Sequence, residues 1–306
     1  MGVVAVAGGT GDLGRTITEH LAACGKHTVF ILSRKKANSP VSGAEILTID
    51  YSDPSAIAAS LDAKAVDTVI SVLGDTGAEA QLKLIAGASK ASSTKRFIPS
   101  EFAAYTPPDA PENEYTAGII RAVGALKDSD LQYTRFANGI FMDYFGIPNI
   151  PSTLSPFVWG IDIAHRRAAI PGSGTDIMAM TYSKDVARFM ERLLEDEDWP
   201  EHSIISGSDA SFNEILALAQ EYTGKYRRDD FDVTYDDKEK LNKTEATLLD
   251  DSSYGGRDPQ VMMSMAGLQL IEGGMALPKE GRLNDRYPDI KPMTIAELIA
   301  KAWKKE

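Results

Sequence analysis

Three glycines near the start of the chain have the spacing of a turn that binds phosphate groups. Gly8, Gly11 and Gly14 follow an apolar run and precede an amphipathic stretch. Gly8 suits a tight turn, Gly11 lets phosphate oxygens approach the main chain, and Gly14 lets a helix lie close to a sheet. The start of that helix offers unpaired N–H groups and a positive dipole end. The residues expected to bind a dinucleotide pyrophosphate are Gly8, Gly9, Thr10, Gly11, Asp12, Leu13 and Gly14.

A cation follows the second predicted strand. Arg34 lies 20 residues after Gly14, where this arrangement places the residue that contacts the adenosine ribose. An acid there binds the ribose hydroxyls of NAD, whereas an arginine pairs with the 2′-phosphate of NADP. No acid lies between Gly25 and Gly43. We therefore predict NADPH/NADP+ as the cofactor, with Arg34 as the phosphate partner and Lys35 as a second cation. The alternative is a set of surface cations that keeps a loop soluble.

Strand and helix patterns alternate through the first half of the chain. Asp53-Pro54 is typical of a helix start, and residues 66–73 are nearly all apolar, as in a strand buried on both faces. Strands are predicted at residues 3–7, 27–32, 45–49, 66–73, 96–99 and 131–136, and helices at 54–61, 78–91, 114–127 and 183–194. This order predicts an α/β fold with a doubly wound parallel Rossmann sheet.

The second half is less regular and predicts a smaller C-terminal α+β domain that caps the substrate. Two capping boxes, Ser211 with Glu214 and Thr294 with Glu297, mark helix starts there. The expected domains are an NADP-binding Rossmann domain over residues 1–150 and a substrate-binding cap over 151–306. Some strands and helices of the cap are expected to return to the Rossmann sheet.

The composition is that of an acidic globular protein. The 306 residues carry a net charge of −12, four histidines and one cysteine, Cys24, which excludes an intrachain disulfide and a thiolate metal cluster. Nucleic-acid binding requires clustered cations, and no apolar run approaches the ~20 residues that span a bilayer. We expect a cytoplasmic protein with no metal, nucleic acid or membrane as partner, and the sequence leaves the oligomeric state open.

Three later motifs accompany the glycine turn in a fixed order. Residues 95–102 read Lys-Arg-Phe-Ile-Pro-Ser-Glu-Phe, and residues 138–145 read Asn-Gly-Ile-Phe-Met-Asp-Tyr-Phe. Residues 170–174 read Ile-Pro-Gly-Ser-Gly and precede Ser-Lys-Asp-Val-Ala at 183–187. Together these motifs resemble the NmrA-like and isoflavone-reductase-like branch of the atypical short-chain dehydrogenase/reductases. The Ser-Glu-Phe motif is the most specific of them.

The resemblance implies an NADP(H)-binding Rossmann domain, a variable cap and a small aromatic or polyketide-like substrate. It also implies which residues lie on the ribose and nicotinamide side: Val72, Leu73, Ser100, Glu101, Phe102 and, near the nicotinamide, Asn138. Tyr144, Phe145 and Trp159 follow the sixth predicted strand and are expected to line the substrate pocket. Core packing explains many aromatic residues of this kind equally well.

The chain departs from the resembling reductases at their catalytic lysine. Thr116 occupies that position, and Tyr115 is followed four residues later by Ile119 where the wider superfamily has lysine. Reduction of a carbonyl or enone requires a proton donor. Tyr115 is the nearest candidate, with Thr116 or Ser100 as a relay, and a neighbouring cation would stabilise its anion. Packing of Tyr115 against the cap is the alternative.

Three functions remain open on the sequence. The first is an NADPH-dependent reductase of a small aromatic or polyketide-like carbonyl, enone or quinone. The second is a non-catalytic regulator that binds NADP(H) and reports the redox state to a partner. The third is an isomerase or dehydratase that uses the same cleft and keeps the nucleotide for structure. We favour the reductase.

Overall fold

The computed structural model describes residues 2–35, 41–74, 77–107, 109–112, 116–224, 231–250, 256 and 258–304. They form two compact units. The first contains Met1–Phe102, Thr106–Ala137 and Val186–Ser203, and the second contains Ala103–Tyr105, Asn138–Asp185 and Ile204–Glu306. The predicted division into a cofactor-binding domain before residue 150 and a substrate-binding cap after it stays a prediction, because these two units are defined by packing alone.

A parallel sheet is the centre of the first unit. Its strands are β1 (Gly2–Ala7), β2 (His27–Ser33), β3 (Ala44–Thr48), β4 (Thr68–Ser71), β5 (Arg96–Ile98) and β6 (Gln132–Tyr133). They lie in the order β3-β2-β1-β4-β5-β6, and each neighbouring pair is parallel. This is the strand order of a doubly wound Rossmann sheet, so the predicted fold class is confirmed.

Helices connect most of these strands, as is usual for parallel pairing. They are α1 (Asp12–Ala23), α2 (Pro54–Ala63), α3 (Ala78–Lys90) and α4 (Ala117–Lys127), whereas the described residues between β2 and β3 form no helix. A further helix of the chain, α5 (Ser183–Leu194), follows β11. The predicted start of α2 is confirmed: Asp53 accepts a hydrogen bond of 2.8 Å from the Ser55 N–H, and Pro54 opens the helix. Residues 114 and 115, where α4 is predicted to begin, lie outside the described residues.

The further strands are β7 (Arg135–Ala137), β8 (Ile140–Phe141), β9 (Ile161–Asp162), β10 (Arg167–Pro171), β11 (Ile177–Thr181), β12 (His202–Ile204), β13 (Ser208–Ser211) and β14 (Asp232–Asp236). In the second unit they form two three-stranded sheets, in the orders β14-β10-β9 and β13-β11-β8. Strand β7 pairs with β12. Short mixed sheets of this kind agree with the predicted α+β character of the C-terminal part.

The second unit also contains α6 (Phe212–Gly224), α7 (Lys238–Asn242), α8 (Pro259–Ile271), α9 (Leu283–Arg286) and α10 (Ile295–Trp303). Both predicted capping boxes are formed, at Ser211 before α6 and at Thr294 before α10. Its core gathers apolar side chains from the strands and from α6 and α10. No helix in the described part of the chain has the length and apolar character that crossing a membrane requires.

The single strand predicted at residues 131–136 is wrong. It is divided into β6 and β7 at Thr134, because the two halves have different partners. Strand β6 pairs with β5, whereas the Arg135 N–H donates to the Glu201 carbonyl at 2.8 Å. The Thr134 hydroxyl lies 2.7 Å from that of Ser203. Pairing with a segment that comes much later in the chain is not visible in a local apolar pattern.

Candidate functional site

The glycine turn between β1 and α1 is closed by protein on two sides and open on a third. Gly8 has a φ of +79°, and a Cβ added there would lie 2.2 Å from the Val72 carbonyl oxygen. A Cβ on Gly14 would lie 2.2 Å from the Gly8 carbonyl oxygen, whereas one on Gly11 would have no atom within 4 Å. The protein itself therefore excludes side chains at Gly8 and Gly14, and the space beside Gly11 is open for a ligand. These residues fit a dinucleotide pyrophosphate.

The rest of the turn shows how a phosphate would be held. The N–H groups in the first turn of a helix have no intrahelical acceptor, and the N-cap of α1 is Gly11, which has no side chain that could cap them. The Leu13 side chain is buried in the core, so Leu13 offers a ligand only its main chain. Asp12 has a φ of 41°, which is uncommon outside glycine, and its side chain is exposed. Binding at this turn is expected to rest on main-chain N–H groups and the helix dipole.

Two exposed cations follow β2. Neither Arg34 nor Lys35 makes a side-chain hydrogen bond or ion pair that involves the other described residues, and the Ser33 hydroxyl donates to the Lys35 carbonyl at 2.7 Å. The nearby Tyr51 hydroxyl donates to the Leu32 carbonyl at 3.2 Å. Burial raises the pKa of Tyr51, and the Arg34 charge opposes that rise. An arginine in this position fits the additional phosphate of NADP.

The carboxyl ends of β1, β4 and β5 are brought together. The Val72 N–H donates to the Ala7 carbonyl at 2.8 Å, which continues the pairing of β4 with β1. The Gly74 N–H donates to the Ser100 hydroxyl oxygen at 3.2 Å, and the Ser100 N–H donates to Gln81 Oε1 at 2.7 Å. The predicted residues Gly8, Val72, Leu73 and Ser100 thus share one edge of the sheet, where Rossmann folds bind their ligands.

The Glu101 carboxylate forms an ion pair inside the protein, although the sequence motif grouped Glu101 with the residues that bind the cofactor. Arg135 donates from Nε and Nη2 to its two carboxylate oxygens, both at 2.6 Å, and both side chains are buried. Arg135 Nη1 lies 2.8 Å from His202 Nε2. A direct contact of Glu101 with a cofactor stays a prediction. Sequence reasoning missed Arg135 and His202, although an arginine inside an apolar strand signals a buried acid as its partner.

Phe102 directly follows Glu101 in the chain, and Asn138 lies three residues after Arg135. The Phe102 ring centroid is 6.0 Å from that of Phe136. Asn138 is fully buried, and its Nδ2 donates to the Gly139 carbonyl at 2.9 Å, which identifies the other atom as Oδ1. Asn138 Oδ1 has no donor among the described residues. An orphaned buried acceptor is available for an amide or hydroxyl of a ligand.

The proton-donor candidates lie on separate segments. Tyr115 is outside the described residues. Thr116 precedes α4, and its hydroxyl donates to the Pro111 carbonyl at 2.7 Å. The Ser100 hydroxyl accepts from Gly74 N–H, and its own hydrogen has no acceptor among the described residues. Of the two described candidates, Ser100 therefore keeps a proton to donate.

Two of the predicted substrate residues border a cavity of about 550 Å³ in the second unit. Tyr144, Phe145 and Trp303 contribute aromatic surface to it, and Asp162 and His165 contribute polar groups. Its volume is typical of a small-molecule site.

The third predicted substrate residue, Trp159, is buried. It packs edge-on against Phe212 with ring centroids 5.0 Å apart, and Phe145 packs against the same ring at 6.5 Å. This is core packing, and contact of Trp159 with a substrate stays a prediction.

A cavity of about 860 Å³ opens at the other edge of the six-stranded sheet, where Gly2, His27 and Arg96 begin their strands. Its cations have acidic neighbours: Lys26 lies 2.8 Å from Glu191, and Arg96 lies 3.5 Å from Asp67. Nucleotides bind at the carboxyl ends of such sheets, so the larger volume does not identify the candidate site.

The fold and the glycine turn define a dinucleotide-binding Rossmann protein. The chain belongs to the NmrA-like family, which it matches over residues 1–242. It is 37% identical over 228 residues to Oxidoreductase BOA1 of Botryotinia fuckeliana, across 72% of this chain and 76% of that protein. It is 25% identical to Isoflavone reductase homolog P3 of Arabidopsis thaliana, across 97% of both chains.

A solved structure agrees with this assignment at the level of the fold. The binary complex of leucoanthocyanidin reductase with NADPH from Vitis vinifera matches with a TM-score of 0.76 at 18% identity, across 98% of this chain and 99% of that one. These relationships confirm the family resemblance inferred from the motifs and group the chain with the oxidoreductases of this family.

Proposed function

We propose that the protein is an NADPH-dependent reductase of a small aromatic carbonyl, enone or quinone. The observation that carries this proposal is the glycine turn, where the protein closes the space beside Gly8 and Gly14 and leaves it open beside Gly11. The names of the relatives support the reductase class, since they include Oxidoreductase BOA1 and Isoflavone reductase homolog P3.

Arg34 supports NADPH over NADH. Its guanidinium makes no ion pair with the other described residues, so its charge remains available for a phosphate. An acid that would bind the ribose hydroxyls of NAD is absent from residues 26–42. Lys35 adds a second positive charge next to it.

The chain's own residues divide the chemistry between them. Bound NADPH supplies the hydride. Gln81 holds the main chain of Ser100, and the Ser100 hydroxyl supplies or relays a proton to the substrate oxygen. The orphaned acceptor Asn138 Oδ1 binds an N–H or O–H of the ligand. Within the second unit, the cavity bordered by Tyr144 and Phe145 has aromatic walls of the kind that suit a flat, apolar molecule.

Cofactor selectivity tests the proposal. Arg34→Ala is expected to weaken NADPH binding by ~1.5–3 kcal/mol, the scale of a charge-assisted hydrogen bond, and to leave NADH binding nearly unchanged. Isothermal titration of both cofactors measures the difference. Arg192→Ala on α5, which removes one positive charge that is paired with Glu195, serves as the control for the change in net charge. An equal loss for both cofactors would contradict the role of Arg34, and failure of both cofactors to bind the wild type would remove the function itself.

A non-catalytic NADP(H)-binding regulator is the second candidate. It is favoured by Thr116, which replaces the lysine of the resembling reductases and whose hydroxyl donates a hydrogen bond to the Pro111 carbonyl. Quinones, enones and aryl ketones mixed with the protein and NADPH separate the two functions through the absorbance of the reduced nicotinamide. Consumption of NADPH supports the reductase. Tight binding that differs between NADPH and NADP+, without consumption across the panel, supports the regulator.

A further inference from the structure

One buried guanidinium in the first unit holds both ends of a loop. Arg135 donates to the two carboxylate oxygens of Glu101 at 2.6 Å, and its Nη2 also donates to the Thr106 carbonyl at 3.1 Å. The side chains of Arg135 and Glu101 are each 4% exposed. Glu101 and Thr106 flank residues 102–105, so a single side chain spans the two ends of the segment that follows β5.

The third contact of this guanidinium requires a particular protonation state. Arg135 Nη1 lies 2.8 Å from His202 Nε2, and a guanidinium can only donate. His202 Nε2 must therefore be an acceptor, which means a neutral imidazole. A proton on this nitrogen removes the acceptor and places a second positive charge against Arg135.

The surroundings of His202 favour its neutral form. Burial is the main cause of its lowered pKa, and the charges of Arg135 and Lys127 act in the same direction, while Glu201 opposes them. Glu201 also lies 3.4 Å from the Tyr133 hydroxyl and 3.9 Å from Lys127 Nζ. The acid beside His202 is therefore shared with other groups.

The loop held in this way leads to the candidate site. Ser100 precedes Glu101 and bonds to Gln81, and the Ala103 carbonyl accepts from the N–H groups of Asn138 and Gly139 at 3.1 and 3.0 Å. A buried ion pair contributes little net stability because desolvation offsets its attraction, but it specifies one geometry. Here the geometry of the ion pair fixes the positions of Glu101 and Thr106, the two ends of the loop.

We propose that Arg135 is a positioning residue for residues 100–106, and that its grip requires His202 to be neutral. Arg135 acts through its contacts with Glu101 and Thr106. This inference deepens the proposed function, because the loop carries Ser100, but the order of the loop can be measured without cofactor.

Hydrogen exchange on the cofactor-free full chain tests the proposal. Three amides report on the loop and are called the loop amides: that of Ser100, and those of Asn138 and Gly139, which donate to the Ala103 carbonyl. The amides of β1 and β2 serve as internal controls. Arg135→Lys keeps the charge but cannot span Glu101, Thr106 and His202 together. We expect about tenfold lower protection at the three loop amides, the scale of one charge-assisted hydrogen bond, with β1 and β2 unchanged. Equal loss throughout would mean a role in stability alone, and unchanged loop amides would also overturn the proposal.

A second variant tests the effect of protonating His202. In His202→Gln the amide oxygen accepts from Arg135 at every pH. As the pH falls from neutral to well below 6.5, the ordinary imidazole pKa, protection of the loop amides corrected for intrinsic rates should fall in the wild type and stay constant in His202→Gln. Because the pKa of His202 is lowered, the fall is expected below pH 6.5. Equal pH dependence in both proteins would refute the role of His202. NADPH affinity measured over the same range should follow the loop; if NADPH does not bind at all, the proposed function fails while the exchange data still decide this inference.

Discussion

At the scale of single residues, the glycine turn separates a packing requirement from a binding requirement. Gly14→Ala places a methyl group 2.2 Å from the Gly8 carbonyl, and relief of that overlap is expected to lower the free energy of unfolding by about 1–3 kcal/mol. The added methyl group of Gly11→Ala has no atom of the described residues within 4 Å, and Gly11 has a φ of −126° that alanine adopts freely. This variant should keep wild-type stability and lose NADPH affinity.

Urea unfolding and cofactor titration of both variants check this separation. A destabilised Gly11→Ala protein would show that the open space is not open in solution. Wild-type NADPH affinity in a stable Gly11→Ala protein would show that the ligand does not approach there.

His27 gives a prediction about pH. It begins β2, and both its ring nitrogens are buried without a partner among the described residues. Burial is the main cause of its lowered pKa, so the folded protein binds a proton less readily than the unfolded chain does. The stability linked to His27 is present above its ordinary pKa of 6.5 and is lost as the pH falls through the lower folded value.

His27→Leu removes both the unpaired nitrogens and the titration. We expect a gain of about 1 kcal/mol at neutral pH, the lower end of the cost of an unsatisfied buried group, and a larger gain near pH 5. Thermal melts of the two proteins across this range measure it. Thr28→Leu, a similar change at the exposed neighbouring position, should bring no gain. A gain for His27→Leu that shrinks on acidification would contradict the account.

At the scale of elements, the distance between α2 and α3 depends on one small residue. A Cβ on Gly87 in α3 would lie 2.5 Å from Ile57 Cγ2 and 3.1 Å from the Pro54 carbonyl oxygen, whereas a Cβ on Gly124 in α4 would meet nothing within 4 Å. Alanine is the better helix former at both positions.

Gly124→Ala is therefore expected to stabilise the protein by about 0.5–1 kcal/mol, and Gly87→Ala to destabilise it because the two helices must separate. Chemical denaturation compares this matched pair directly. Stabilisation by both substitutions would mean that α2 and α3 are not in close contact.

At the scale of the whole molecule, cofactor binding is expected to appear as stability. A ligand that binds only the folded chain adds about 2.7 kcal/mol at a concentration of 100 times its Kd. Scanning calorimetry should show a higher Tm with NADPH than with NADH at equal concentration, and Arg34→Ala should remove most of that difference. Equal shifts from both cofactors in the wild type would argue against selection by the 2′-phosphate.

The sequence by itself determined the features that depend on residues close together in the chain. The alternation of strand and helix patterns predicted the parallel sheet, and the spacing of Gly8, Gly11 and Gly14 predicted the turn. The capping box of Thr294 and Glu297 predicted the start of α10. These signals are local because a strand, a turn or a helix cap is made by neighbouring residues.

Only the tertiary structure decided which distant groups meet. Glu101 was grouped with the cofactor residues by its place in a motif, but its carboxylate faces Arg135, 34 residues away, and Arg135 faces His202 a further 67 residues along. The division of the predicted sixth strand has the same origin, since β7 pairs with β12. Burial forces polar groups to find partners wherever the fold brings them, and no local pattern states which partner that will be.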